Sequence, residues 1–365
     1  MADKYWVGSG STTSWDAITP TNWSLTDGGA NDAAVPATDD DVFFKSAADC
    51  TMNSSTSLNS LDMTGYTGTI TPSATVVIRP STGNTTVCIL DGTITGYIDI
   101  ALEPRGTAVL NLTTNNRQIK VSSWYGDGTG TTNFQDAIIG YSLVQSAGTL
   151  NTNGYGITLA AHYSIPSSET VHFNFTNSTI SLLSSWSLTG TVANYTLTST
   201  GSNITCSGSF IGASKTYNNV ILKGNATSIS GDNIFNKLNI NSAGLGSGVA
   251  ITAGSTQTVT DFATNGSSGN LAKMTSTSAG SAFTLTSASS RISIDYMSIK
   301  DSTAAGVATW YAGANSTDVS GNTGWTFTAP PPTFSKFIGV AAASIGKANG
   351  VAIASVGKIL GIDAP

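Results

Sequence analysis

The chain has 365 residues, only 10% of them charged, with a net charge of −6 and 39 glycines. No basic cluster supplies the cationic density that displaces counterions from nucleic acid. The glycines keep no G-X-Y period, which excludes collagen, and 39% apolar residues with β-branched side chains throughout argue against disorder.

Soluble proteins average about a quarter charged residues, so the polar surface here falls to Ser, Thr and Asn. Thr favours strands, while Ser, Asn and Gly favour turns. The opening "MADKYWVGSG" has no apolar stretch after its charges, so no secretory signal is expected. Residues 1–45 carry Trp6, Trp15 and Trp23. Indoles bury large areas, and the segment reads as an N-terminal cap, with aromatic carbohydrate platforms as the rival reading. "TDDDV" (38–42) lacks the glycine and distal glutamate of a calcium loop and reads as a turn before "VFF".

From residue 46 onward, short alternating runs dominate: "TVVIRP" (75–80), "TVCIL" (86–90), "YIDIAL" (97–102), "AVLNL" (108–112), "HFNF" (172–175) and "ISIDYMSI" (292–299). Turn clusters separate them, and helical periodicity is nearly absent before residue 330. Many short strands at regular spacing predict an all-β fold. No apolar run reaches the length of a membrane span.

An internal echo chooses among sandwich, barrel and solenoid. "TYNNVILKGN" (216–225) returns as "IFNKLNINSA" (234–243), aligning Tyr217 with Phe235, Asn218 with Asn236, Val220 with Leu238 and Leu222 with Ile240. "LNSLDM" (58–63) repeats the pattern, and "IDYMSI" (294–299) is a looser relative. Such a step suits one coil of a β-solenoid, with alternate side chains stacking on their equivalents in the next coil. The recurrent Asn would serve backbone groups at the bend or stack as an amide ladder. Solenoid ends need covering; Trp310 and Trp325 in 301–328 make that stretch the closing segment of a 46–328 body.

Chemistry-bearing residues are sparse. Cys50, Cys88 and Cys206 have neither metal spacing nor a disulfide framework and read as small core residues. His162 and His172 lack metal-ligand companions and a nucleophile elbow. No cofactor or metal is expected. "GDGTG" (126–130) has no strand–helix context for a phosphate loop. The acids of the body (Asp91, Asp99, Glu103, Asp127, Asp136, with Glu169 the other glutamate) read as turn acids. If the protein cleaved glycans, Asp99 and Glu103 would be the candidate pair. Residues four apart on one strand face stand about 13 Å apart, beyond the carboxylate separation of about 5–9 Å that glycoside hydrolysis uses, unless a bend or a neighbouring coil intervenes.

"TAPPPT" (328–333) is a stiff, donor-poor linker, with 329–333 as its core. Beyond it, 334–365 repeats every eleven residues: Lys336, Lys347 and Lys358; Gly339, Gly350 and Gly361; then Val340, Val351 and Ile362. Eleven residues fit three helical turns, but each glycine costs a helix about 1 kcal/mol. Short β segments bent at the glycines are therefore favoured. The repeat is too small and too apolar to bury itself alone. Phe334, Phe337, Ile338, Val340, Ile345, Val351, Ile353, Val356, Ile359 and Ile362 are the candidate assembly residues, contacting sister chains in a homo-oligomer, a trimer by preference, or a neighbouring protein. Helical association and a weak membrane contact are the lesser alternatives.

"YWVGSGSTTSWDAITPTNWS" and "VPATDDDVFF" resemble the opening of phage-associated and bacterial surface β-helix proteins. "DYMSIKDSTAAGVATWYAGANSTDVSGNTGWTF" resembles their closing stretch, and "SIGKANGVAIASVGKILGI" is similar to tandem C-terminal repeats of phage structural proteins. "VGSGSTTSW" stands where the commoner form has a shorter Gly-rich link. The resemblance covers about the first 45 and last 75 residues and implies a right-handed parallel β-helix in a virion or surface setting, with no catalytic residues. The expectation is a structural and adhesive phage protein (fibre, spike or decoration) at the virion surface, made in the host cytoplasm. Its partners would be other virion proteins, with a host-surface glycan in addition. The rivals are a tailspike-type polysaccharide depolymerase and a cellular surface adhesin or filament subunit.

Overall fold

The computed structural model describes residues 2–9, 12–18, 20–123, 130–160, 163–167, 169–224 and 227–331, with six two-residue strands beyond them. For 122–123, 163–167, 227 and those six strands, the backbone alone is described.

The body is a parallel β-solenoid. Its strands sort into ladders in which each strand pairs with the one a coil later. One ladder of ten strands runs from Asp3–Trp6 and Asp41–Phe44 through Val109–Thr113 and Gly148–Asn151 to Tyr195–Thr198. A second climbs from Thr56–Leu58 through Ile98–Leu102, Ile157–Leu159, Asn203–Cys206 and Ile234–Ile240 to Ser302–Gly306. A third takes Trp186–Gly190, Phe210–Ile211, Val249–Ile251, Ala272–Ser276 and Met297–Lys300. Two shorter parallel sheets join Cys50–Met52, Thr69–Pro72 and Thr93–Ile94, and Arg291–Ser293, Thr309–Tyr311 and Trp325–Thr326; the described helical structure is one 3-10 turn, Val192–Asn194. Among the described residues, no helix is long and apolar enough to cross a membrane.

Strand alternation builds the core. Ile157, Ile180, Ile204, Val220 and Leu238 follow one another in register and are all buried. Leu159, Leu182, Cys206, Leu222 and Ile240 form the neighbouring buried column. The echo read from the sequence is a true ladder: Tyr217 pairs with Phe235, Val220 with Leu238 and Leu222 with Ile240. Its step is not general. Asn203 pairs with Asn219, sixteen residues on, and Thr256 with Thr284, twenty-eight on. The looser echo at 294–299 falls on a different ladder, because Met297–Lys300 pairs with Ala272–Ser276.

Asparagine links the coils both through backbone carbonyls and through an amide ladder, the ladder being built by asparagines other than the recurrent Asn218 and Asn236. At bends, Asn115 Nδ2 donates to Leu90 O at 2.9 Å and Asn153 Nδ2 to Phe134 O at 3.0 Å, while Asn218, inside the strand Thr216–Leu222, donates through Nδ2 to Ser202 O at 2.9 Å. Asn153 has φ 51°, a left-handed conformation that Asn tolerates. On the first ladder's outer face, Asn111, Asn133, Asn151 and Asn174 lie in register. Asn133 Nδ2 donates to Asn111 Oδ1 at 3.2 Å, and Asn151 Nδ2 to Asn133 Oδ1 at 2.9 Å.

Both terminal segments of the body are packed by aromatics. Trp6, Trp15, Trp23 and Phe44 are buried against one another with ring centroids 4.8–5.9 Å apart. Trp23 Nε1 donates to Trp15 O at 2.8 Å, and Trp6 Nε1 to Ala48 O at 3.0 Å. At the other end, Trp310 and Trp325 are paired in register and meet edge to face at 5.1 Å. The three tryptophans near the start are buried, so they form packing and not a sugar platform.

Beyond the linker, Lys336–Phe337 pairs antiparallel with Val340–Ala341, Lys347–Ala348 with Val351–Ala352, and Lys358–Ile359 with Ile362–Asp363. These described residues are strands, as the glycine argument favoured. Between the paired residues the sequence reads Ile-Gly, Asn-Gly and Leu-Gly, the length and glycine placement of short hairpin loops. Of the candidate assembly residues, Phe337, Val340, Val351, Ile359 and Ile362 sit in these strands. Phe334, Ile338, Ile345, Ile353 and Val356 lie outside the described residues, as do His162 and Asp127.

Candidate functional site

The residues singled out for chemistry take structural roles where they are described. Asp99 ion-pairs with Lys120 one coil on at 3.3 Å, and Glu103 pairs with Arg79 one coil back, the Arg79 Nε donating at 2.6 Å. Asp136 accepts from the Thr114 backbone N–H at 2.9 Å. Asp91 accepts from the N–H of Gly65 at 3.0 Å and from Arg117 at 3.2 Å. These acids serve neighbouring bends and rungs. His172 sits on a strand between Thr149 and Thr196. Among the described residues, no group of three His, Cys, Asp or Glu side chains could hold a metal ion. Cys50, Cys88 and Cys206 are free and buried, and burial pushes the thiols of Cys88 and Cys206 up to about 12.

The feature that stands out is a trough of about 310 Å³ on the outer face of the second ladder. Two outward columns build it. Gln118, Ile139, Thr158, Ser181 and Thr205 lie in register on successive coils. Tyr97, preceding the Ile98–Ile119 pair, extends this column by one coil. Two residues further along each strand, Ala160, Leu183, Ser207 and Lys223 follow the buried Leu159, Leu182, Cys206 and Leu222.

Tyr141 stands at the aromatic end, 46% exposed, its ring edge to face with Tyr97 at 5.6 Å. Leu183 projects at mid-trough, 72% exposed. Among the described residues, Lys223 supplies the only charge in the lining, and no carboxylate lines the trough. Asp99, two residues past Tyr97, is turned to Lys120.

The sequence reading did not find this surface. Its residues come from separate strands whose spacing varies from coil to coil, so no fixed period lines them up. The one legible signal was a large apolar side chain at an outward strand position, as Ile139 and Tyr141 are between the inward Ile138 and Leu143.

Compared with family models, with curated proteins and with solved structures, the chain matches none.

Proposed function

We propose that this is a structural and adhesive protein of a phage particle, a fibre, spike or decoration subunit, joined to sister chains or to a neighbouring virion protein through its C-terminal repeat. The observation that carries the reading is the set of three strand pairs beyond the linker. Among the described residues each is a two-stranded sheet of its own, and an isolated hairpin in water is marginal. Three similar open-edged units in one tail suit completion by other strands, and a trimer gives each unit two equivalents.

The body supports a passive role. Asp99, Glu103 and Asp261 pair with cations on neighbouring coils, and the outer face carries an amide ladder that fastens successive rungs. The virion setting rests on the resemblance of the two terminal segments and the repeat. A depolymerase is the weaker reading, since the trough lining offers no carboxylate pair.

Immunogold labelling of lysates from producing cells, with antibodies raised against residues 1–328, tests the proposal. Label on particles is expected. Label confined to cell surfaces, or particles free of label, overturns it.

A further inference from the structure

We infer that the trough is a binding site for a linear acidic polysaccharide, which it holds along the solenoid axis without cleaving it. The inference rests on the adhesive half of the reading above and adds the ligand class and the residues.

Length comes first. Five steps of about 4.8 Å between neighbouring strands make the column from Tyr97 to Thr205 about 24 Å long, a shallow, elongated track that suits a chain of several sugar rings laid along it. Chemistry comes next. The lining alternates apolar faces (Tyr97, Ile139, Leu183) with hydroxyls and an amide (Thr158, Ser181, Thr205, Gln118). A pyranose ring presents the same alternation, with C–H faces that lie on aromatic rings and aliphatic side chains and hydroxyl edges that exchange hydrogen bonds.

Other occupants fit less well. An extended peptide gains most by adding to a sheet edge, whereas the trough lies on a sheet face whose backbone groups are already paired between coils. A second copy of the chain would want a continuous apolar patch, which the hydroxyl column interrupts.

Charge sets the polarity of the ligand. Lys223 is exposed at one end and, among the described residues, no acid lines the trough, although the whole chain carries a net −6. A carboxylate-bearing sugar at that end meets attraction unopposed by a lining acid. The same lack of lining carboxylates leaves no acid and base to flank a glycosidic bond.

The test uses the full chain and fluorescent hexasaccharides of alginate and hyaluronan, with cellohexaose as the neutral control, followed by anisotropy. At least one acidic probe is expected to bind more tightly than cellohexaose and to emerge with its length unchanged. Tyr97→Ala and Leu183→Ser should each weaken it about tenfold, and Lys223→Gln should abolish the preference for the acidic probe. These side chains are exposed, so unchanged circular dichroism and melting separate lost binding from lost fold. No binding by any probe, binding indifferent to Tyr97→Ala, a preference for cellohexaose, or shortened products each overturns the inference. A labelled particle whose protein takes up no sugar would sink this inference and leave the structural reading standing.

Discussion

Tyr217 and Phe235 lie in register on adjacent coils and stack with ring centroids 5.8 Å apart, their planes 26° from parallel. The stack works because the polar tip is satisfied inside the core. Tyr217 Oη donates to Gly212 O at 2.8 Å and accepts from Trp186 Nε1 at 3.2 Å. Side chains from one rung thus rest on those of the next, and stability is passed along neighbouring coils. Phe235→Ala should cost about 3–5 kcal/mol, read as a lowered urea midpoint. A change under about 1 kcal/mol would show that the stack is not part of a packed core.

The outer amide ladder makes a smaller, separate contribution. Asn133 both donates to Asn111 and accepts from Asn151. Asn133→Ala removes two half-buried bonds, each worth about 1 kcal/mol net. Urea unfolding should register a loss of about 1–2 kcal/mol, and Asn133→Asp, which cannot donate when ionised, should be no better.

Alkaline pH should weaken the fold. Burial raises the Cys88 and Cys206 thiols from 9.0 to about 12, and burial likewise raises Tyr195 from 10.0 to about 12. The folded chain keeps these protons while the unfolded chain sheds them, so the native state binds more protons in that interval. Their contribution is fully present below pH 9 and is lost as pH rises towards 12. The urea midpoint should be flat from pH 7 to 9 and fall from 9 to 11; a rise would contradict the assignment. Thiol reagents at pH 8 should find no cysteine in the folded chain and all three after unfolding.

Much of the fold was legible in the sequence, and for a physical reason. Inward positions must be apolar and must meet their equivalents a coil later, so the Tyr217–Phe235 and Leu222–Ile240 matches survive as sequence echoes. Outward positions are free to vary, and bends absorb insertions. That is why the column from Tyr97 to Thr205 left no readable period, and why "IDYMSI" was grouped with strands of another face. The pairing of Asp99 with Lys120 and of Glu103 with Arg79 was hidden for the same reason: each partner lies a coil away, at a distance set by bend length. The tail was readable as β because glycine is costly in helices and welcome in hairpin loops.

The N-terminal aromatic cluster should govern how the first coils fray. Trp15 is fully buried between Trp23 and Phe44, and Trp15→Ala should cost about 3–5 kcal/mol locally. Limited proteolysis should then cut the variant within the first 60 residues while leaving the fragment from the later coils intact. Cleavage spread evenly along the body would show that this cluster does not protect the end.

The most direct measurement compares the solution mass of the full chain with that of a chain ending at Ala329, by sedimentation at matched concentrations. The account predicts a defined oligomer, a trimer by preference, for the full chain and a folded monomer for the shortened one. Equal oligomeric states, whether both assembled or both monomeric, would contradict it.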